Sequence, residues 1–509
     1  MLRCQWPATM TPISSVPAAA VGLRMPKPAT RPAARPSMSS GVAPLVCSSV
    51  ALTQSRWRAR SMAWAPGMKG STLGSLRISS SASASAASNC VKQTSPAAKL
   101  IRPPARCHDS RPTGKSIAKL GLSMSGTAAT ASSNLDSFSI VDAQGDVLHT
   151  ADGRTLIDLF TAHGTVWLGH RHPDVRDALQ RQLDKVWITG GYATPMVQEM
   201  RAAMNGFLPE GYLLASLAST GMEANEQALR IARTLTARNG AVGFAGAMHG
   251  KSFFTAALGW DNGDGLAIPQ VHRVPCGRGV DEAQTLAEAG VRLRRGGIAA
   301  IFVEPVHATS FGWEGGPVFY QALSALAAQH GALLVYDEVL TGFHRTGPSF
   351  CFLQHGVRPD IIVFGKACGN GFPVAGVAVR DGIAIAPRML LGSTFSNNAL
   401  AAAAVKATLS CLRALEPEAR VRAIESTVQQ QLLPALAEGP IVLSGKGAMW
   451  ILTFPTAEQA AACARAVLGA GVCIGFHNRQ LRLLPPVTIA PANLRLACQK
   501  IAECCMLVS

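Results

Sequence analysis

Between residues 241 and 379, short apolar runs alternate with amphipathic segments, and this alternation leaves the chain few folds to choose from. The runs Ala241–Ala245, Ala299–Val303, Ala332–Tyr336, Asp360–Phe364 and Val374–Val379 are flanked by Gly, Pro or a charge and are predicted to be buried strands. Helical periodicity predicts helices over Glu223–Arg238, Glu282–Arg295 and Val318–His330. Strands alternating with helices imply an α/β fold with a mostly parallel sheet covered by helices on both faces. Ligands of such sheets sit beyond the carboxyl ends of the strands, so the residues just after each strand are the ones to inspect.

The net charge points elsewhere until its distribution along the chain is counted. The 509 residues include 47 Lys+Arg and 30 Asp+Glu, a formal charge of +17. Residues 1–120 hold 17 of the basic residues and one acid, Asp109, which leaves 30 basic and 29 acidic residues, or +1, for the remainder. The body therefore lacks the basic face that nucleic acid requires, and no nucleic-acid partner is expected. Residues 1–123 are rich in Ala, Ser, Pro and Arg and are expected to be disordered. Two readings of them stand: an organellar transit peptide for plastid or mitochondrion, or sequence lying ahead of a true start at Met124, with a cytoplasmic protein. No apolar run approaches the ~18–20 residues of a membrane span, so no membrane partner is expected.

Four cysteines lie in the leader and nine in the body, without CxxC pairs, which predicts free thiols rather than a disulfide framework or a metal site. His170 and His172 are read as turn and core residues rather than metal ligands, because no third ligand has suitable spacing. The body exceeds what one core usually supports, which predicts two lobes around one site.

Three motifs carry chemistry. Ser219-Thr220-Gly221-Met222 runs into a helix whose first-turn N–H groups and dipole form a seat for an anion; the plainer reading is an N-cap. Asp337 and Glu338 directly follow a buried strand, where a carboxylate needs a cationic partner; the plainer reading is a salt bridge to an arginine such as Arg345. Lys366 ends another buried strand beside Gly369-Asn370-Gly371, where desolvation lowers an amine's pKa and makes it nucleophilic; a surface lysine is the alternative. An anion seat, a carboxylate and an amine after strands of one sheet are the parts a pyridoxal phosphate enzyme needs.

From about Ile140 to the C-terminus the ordered series Gly169-His170-Arg171-His172-Pro173, Thr220–Glu226, His249-Gly250, Glu304-Pro305-Val306, Asp337–Gly347, Lys366, Ser393-Thr394-Phe395 and Arg482 ahead of Pro485-Pro486 resembles the class III aminotransferases. The resemblance implies a fold-type I transferase, a homodimer, with a large domain over 190–400 and a small domain built from 124–189 and 401–509. It implies pyridoxal 5′-phosphate held by Lys366 as a Schiff base, with Asp337 on the ring nitrogen and Val339 on one ring face. The phosphate would be held by Thr220, Gly221 and Met222 and, from the partner subunit, by Thr394; Met248 and His249 would complete the cofactor site. Arg482 would hold a substrate carboxylate. The implied reaction is ping-pong transfer of an amino group from an amino acid, including ω-amino and diamino acids, to an oxo acid.

Three positions depart from the family pattern. Met248 replaces the aromatic residue that stacks on the ring, Leu340 stands where Gln is frequent, and His307-Ala308 replaces Gln-Gly. Alternatives on the same fold are an aminomutase of the glutamate-1-semialdehyde type, an amino-acid racemase, or a binding protein that has lost catalysis.

Overall fold

The computed structural model describes residues 138–260, 267–390 and 392–508, and the leader 1–123 and the expected start at Met124 lie outside them. The described chain opens with three strands, β1 (Ile140–Gln144), β2 (Val147–Thr150) and β3 (Thr155–Asp158), paired antiparallel in sequence order.

Seven strands form the large sheet: β4 (Tyr212–Ala218), β5 (Gly240–Phe244), β6 (Val271–Val274), β7 (Ile298–Val303), β8 (Leu333–Asp337), β9 (Ile361–Phe364) and β10 (Ala375–Arg380), in the spatial order β4-β10-β9-β8-β7-β5-β6. Only β10 runs against its neighbours. It follows β9 through the short loop 365–374, which has no helix to carry the chain back for a parallel return.

The five predicted strands are all present, shifted by about one residue. The three predicted helices appear as Gly221–Thr236, Glu282–Arg294 and Pro317–Gln329. β4 and β6 escaped the sequence pattern. β4, Tyr-Leu-Leu-Ala-Ser-Leu-Ala, has no β-branched residue to favour a strand, and its Ser216 hydroxyl donates to Gln227 of the following helix. β6 is a short edge strand that carries His272 and Arg273.

The strands are apolar along their whole length because both faces are covered. Val335, Ile361 and Val363 face a layer formed by Ala224, Ala228, Ile231 and Ala232 of the helix Gly221–Thr236. Their sequence neighbours Leu334, Tyr336, Ile362 and Phe364 face the opposite layer with Phe319, Leu323, Val405 and Leu409. Burying each of these large side chains contributes about 1.5–3 kcal/mol before conformational entropy is counted.

The C-terminal part adds β11 (Val442–Lys446), β12 (Met449–Thr453), β13 (Val472–Cys473), β14 (Gly475–His477) and β15 (Gln480–Leu483). β13 pairs parallel with β3, so the two ends of the described chain share one sheet, while β11-β12-β15-β14 form a third sheet. None of the nine body cysteines forms a disulfide, and all are buried. Among the described residues no helix is long and apolar enough to cross a membrane.

Candidate active site

Five parallel strands, β4, β5, β7, β8 and β9, deliver their carboxyl ends to one edge of the sheet. The segments that follow them bring Thr220-Gly221-Met222, Met248-His249, Glu304, Asp337 and Lys366 together around two adjoining cavities. One, of about 420 Å³, is lined by Ser219 through Met222, Asn225, His249 and Gly250; the other, of about 340 Å³, by His163, Lys251, Trp260, Glu304, His477 and Arg482. Thr165, Met248, Asp337, Val339 and Lys366 line both, and so mark the junction.

Thr220 is the N-cap of the helix Gly221–Thr236, its hydroxyl accepting from the Glu223 amide at 3.1 Å. The plain capping role and an anion seat coexist, since the cap occupies only one of the free first-turn amides. A Cβ on Gly221 would lie 2.9 Å from both methyls of Val339, so a glycine is required for this close approach.

Asp337 is almost fully buried, and its two oxygens are divided among three partners. Oδ2 accepts from Asn225 Nδ2 and contacts His249 Nδ1, both at 2.8 Å, and Oδ1 accepts from the Val339 amide at 3.1 Å. These bonds fix the orientation of the carboxyl group. His249 Nε2 is buried without a partner among the described residues.

Glu338 turns away from the cavities and accepts from the Thr341 hydroxyl and the amides of Cys351 and Phe352. Burial pushes its carboxyl up to about 7. The salt-bridge reading for this pair fails. Arg345 is fully buried, donates to the carbonyls of Gly164 (2.7 Å) and Pro485 (2.8 Å), and lies 3.8 Å over the Trp167 ring. It ties the walls of the second cavity together, and burial lowers its pKa to about 9.

Lys366 begins a short 3₁₀ turn with φ of +44°, a left-handed conformation that costs a side-chain-bearing residue energy and that clusters at functional positions. Burial pushes its amine below the ordinary lysine value, opposed by the nearby carboxylates of Asp337 and Glu304. Glu304 accepts from the amides of Met248 (2.7 Å) and Ala308 (3.3 Å), and burial raises its pKa well above the carboxylate range.

Arg482, on β15, reaches the second cavity; its Nε is buried without a partner among the described residues, and burial lowers its pKa. Opposite it stands a turn invisible to sequence patterns, in which Thr161, Ala162, His163 and Gly164 all have positive φ. Asp158 Oδ1 holds this turn by accepting from the amides of Phe160 and Thr161, both at 2.8 Å, and the Thr161 hydroxyl donates to the Leu484 carbonyl. The turn presents His163 to the cavity, where desolvation and then the positive charges of Arg482, Lys366 and Lys251 lower its pKa to about 4.

A family profile described as "Aminotransferase class-III" matches residues 127–505. The chain belongs to the class III aminotransferases. It is 32% identical over 386 residues to the 4-aminobutyrate aminotransferase GabT of Escherichia coli K12, covering 69% of this chain and 90% of that protein. It is 31% identical to the diaminobutyrate–2-oxoglutarate aminotransferase of Rhizobium meliloti, covering 69% and 84%. A transaminase structure from the marine bacterium Virgibacillus has the same fold, with a TM-score of 0.68 at 20% identity over 73% of this chain and 93% of that one. The aminotransferase is therefore a pyridoxal-phosphate-dependent enzyme that transfers an amino group from an amino acid to an oxo acid, and the aminomutase alternative is not favoured.

The geometry of this aminotransferase fits the cofactor. The first cavity joins a helix N-terminus, a glycine cradle, an oriented carboxylate and a lysine amine, and the orphaned His249 Nε2 lies in its wall. Of the residues picked from sequence, Thr220, Gly221, Met222, Met248, His249, Asp337, Val339, Lys366 and Arg482 line one or both cavities. Thr394 does not; it lies on an exposed turn outside both cavities of its own chain. His163 and Lys251 were missed, since a single histidine or lysine in a loop carries no pattern. Asn225 and Glu304 stood inside quoted motifs, but only the fold reveals their bonds to Asp337 and Met248.

Proposed function

We propose that the enzyme takes its amino group from an ω-amino or diamino acid carrying a carboxylate, and passes it to a 2-oxo acid by a ping-pong mechanism. The observation that carries this reading is that Arg482 and Lys366 line the same cavity, with the Arg482 Nε buried and without a partner among the described residues. A guanidinium with a buried, unpartnered Nε is suited to grip a carboxylate, which places the reacting amine at the far end of the molecule. The names of the 4-aminobutyrate and diaminobutyrate relatives agree with such donors.

The bound cofactor supplies an aldehyde to capture the amine and a ring that accepts the electrons freed when the substrate carbon loses its proton. Lys366, its amine made less basic by burial, would anchor the cofactor and carry the proton from and to that carbon. Asp337, held by Asn225 and His249, would pair with the ring nitrogen of the bound cofactor and keep it protonated. Val339 and Met248 line the junction of the two cavities and would pack against the bound ring, Met248 contributing polarizable contact without an aromatic plane. The amides beginning at Gly221 and the Thr220 hydroxyl hold the phosphate.

Residues 190–400 act as the large domain, and 124–189 with 401–509 as the small one. Thr394, exposed on its own chain, would serve the phosphate site of a partner subunit in a homodimer. Nine body cysteines without a disulfide suit a reducing cytoplasm, and N-terminal sequencing of the native protein would decide between this and organellar import.

A panel of ω-amino, diamino and α-amino donors, each with pyruvate or 2-oxoglutarate, tests the donor. The expected result is preference for carboxylate donors with a distal amine, and a rise in KM for them in Arg482→Ala. Equal activity with amines that lack a carboxylate would overturn the assignment.

A further inference from the structure

Two clusters of potential metal ligands lie outside the catalytic cavities. Glu314, Cys351 and His355 form one, but Lys446 Nζ lies 2.7 Å from Glu314 Oε1, so an ammonium group already serves as its cation. In the other, no ion pair to Asp174 is formed among the described residues, although Arg181, Lys185 and Lys406 line the adjoining groove. His172 precedes the helix Pro173–Leu183, Asp174 lies in its first turn, and Cys411 comes from the helix Ala399–Leu415 packed against it.

Cys411 Sγ is 3.8 Å from His172 Nδ1 and 3.4 Å from Asp174 Oδ2, and all three ligand atoms lie within 4.8 Å of one another. Ligands around a tetrahedral zinc ion, bonded at about 2.0–2.3 Å, stand about 3.3–3.8 Å apart, so little rearrangement is needed. A carboxylate, a thiolate and a neutral imidazole together balance a divalent charge. Cys411 and Asp174 also line a surface groove of about 520 Å³, which gives an ion a way in and water a fourth coordination position.

We propose that His172, Asp174 and Cys411 form a site for a thiophilic divalent cation, with zinc the best match. The ion replaces the proton that the Cys411 thiol donates to Asp174, and that proton leaves to solvent. The site clamps the loop before the helix Pro173–Leu183 to the helix Ala399–Leu415. That loop also leans on the catalytic turn: Asn370, which ends the Lys366 turn, accepts from the Leu168 amide at 2.7 Å and donates to the Gly169 carbonyl at 3.2 Å. Zinc thus stiffens the support of the Lys366 turn from outside the active site.

The test uses the full-length holoenzyme, stripped with chelator and dialysed against zinc sulfate, with bound metal counted per chain. Because the leader has four cysteines of its own, the count is compared across variants. Wild type is expected to hold one equivalent more than Cys411→Ser and one more than Asp174→Asn, whose exposed position makes it a variant that keeps the fold. Cobalt(II) in place of zinc should give the visible d–d bands of a tetrahedral ion in wild type and lose them in both variants. Zinc should raise the melting temperature of wild type and leave that of Asp174→Asn unchanged. Equal metal counts in wild type and the two variants would overturn the site, as would loss of the equivalent in Cys351→Ser with retention in Cys411→Ser.

Discussion

Val339 is wedged between two glycines, and this contact sets up a quantitative test of how the cofactor floor is built. A Cβ on Gly221 would stand 2.9 Å from Cγ1 and from Cγ2 of Val339, while one on Gly365 would stand 3.3 Å from Cγ1. Carbon–carbon contacts are most favourable at about 3.5–4.0 Å, so Gly221→Ala drives two methyl groups at least about 0.6 Å too close. Relief then requires Val339 to shift, toward Gly365 or into the cavity junction that it lines. Overpacking of this kind costs about 1–3 kcal/mol.

Val339→Ala removes both offending methyls and carries only its own loss of packing, about 1–2 kcal/mol for a partly buried side chain. In Gly221→Ala/Val339→Ala the clash is gone, so the double variant should be less destabilised than the sum of the singles by about 1–3 kcal/mol. Urea denaturation of the four proteins, with and without pyridoxal phosphate, measures the coupling. Gly221→Ala alone should also weaken cofactor binding, and the double variant should recover part of it. Additivity within about 0.5 kcal/mol would refute the wedge.

Three further outcomes follow from the same geometry. Lys366→Ala should lower turnover by at least about 10²-fold and abolish the visible absorbance of bound cofactor while leaving the far-UV circular dichroism intact; retained turnover would remove Lys366 from the chemistry. Arg345→Lys should destabilise the fold by about 2–4 kcal/mol, since an ammonium cannot span the Gly164 and Pro485 carbonyls or stack on Trp167, and thermal melting would reveal it. His307 is fully buried and burial depresses its pKa to about 3, so the native state refuses a proton that the unfolded chain accepts below about pH 6.5. Stability from this group is therefore complete above about pH 6.5 and falls as pH drops toward 3; His307→Gln should flatten the loss measured by denaturation between pH 7 and 5, and an unchanged slope would sink the assignment.

How far the sequence reaches can be judged residue by residue. The strand runs β5, β7, β8, β9 and β10 were legible because burial on both faces leaves continuous apolar stretches, whereas β4 was hidden because its small and unbranched residues fit other structures equally well. Thr220 was legible because a small polar turn there runs into an amphipathic helix, and Asp337 and Lys366 because each interrupts apolar texture at the end of a strand. Arg345 was misread as a candidate ion-pair partner for the acids, since its nearness in sequence to Asp337 says nothing about the carbonyls of Gly164 and Pro485. The approach of Cys411 Sγ to 3.8 Å from His172 Nδ1 has no local signal, because the fold brings it from a helix more than two hundred residues away.

By itself, then, the sequence determined what is local and periodic: the alternation of strands and helices, the turn that caps a helix and seats an anion, and the amine and carboxylate at strand ends. Tertiary structure alone decided what depends on convergence. Asn225 and His249 meet on one oxygen of Asp337, a left-handed turn directs His163 toward Arg482, and two helices join His172, Asp174 and Cys411. The physical reason is that hydrophobic burial selects elements through their own repeat, while hydrogen bonds and charges act only between groups the packed fold has brought within a few ångströms.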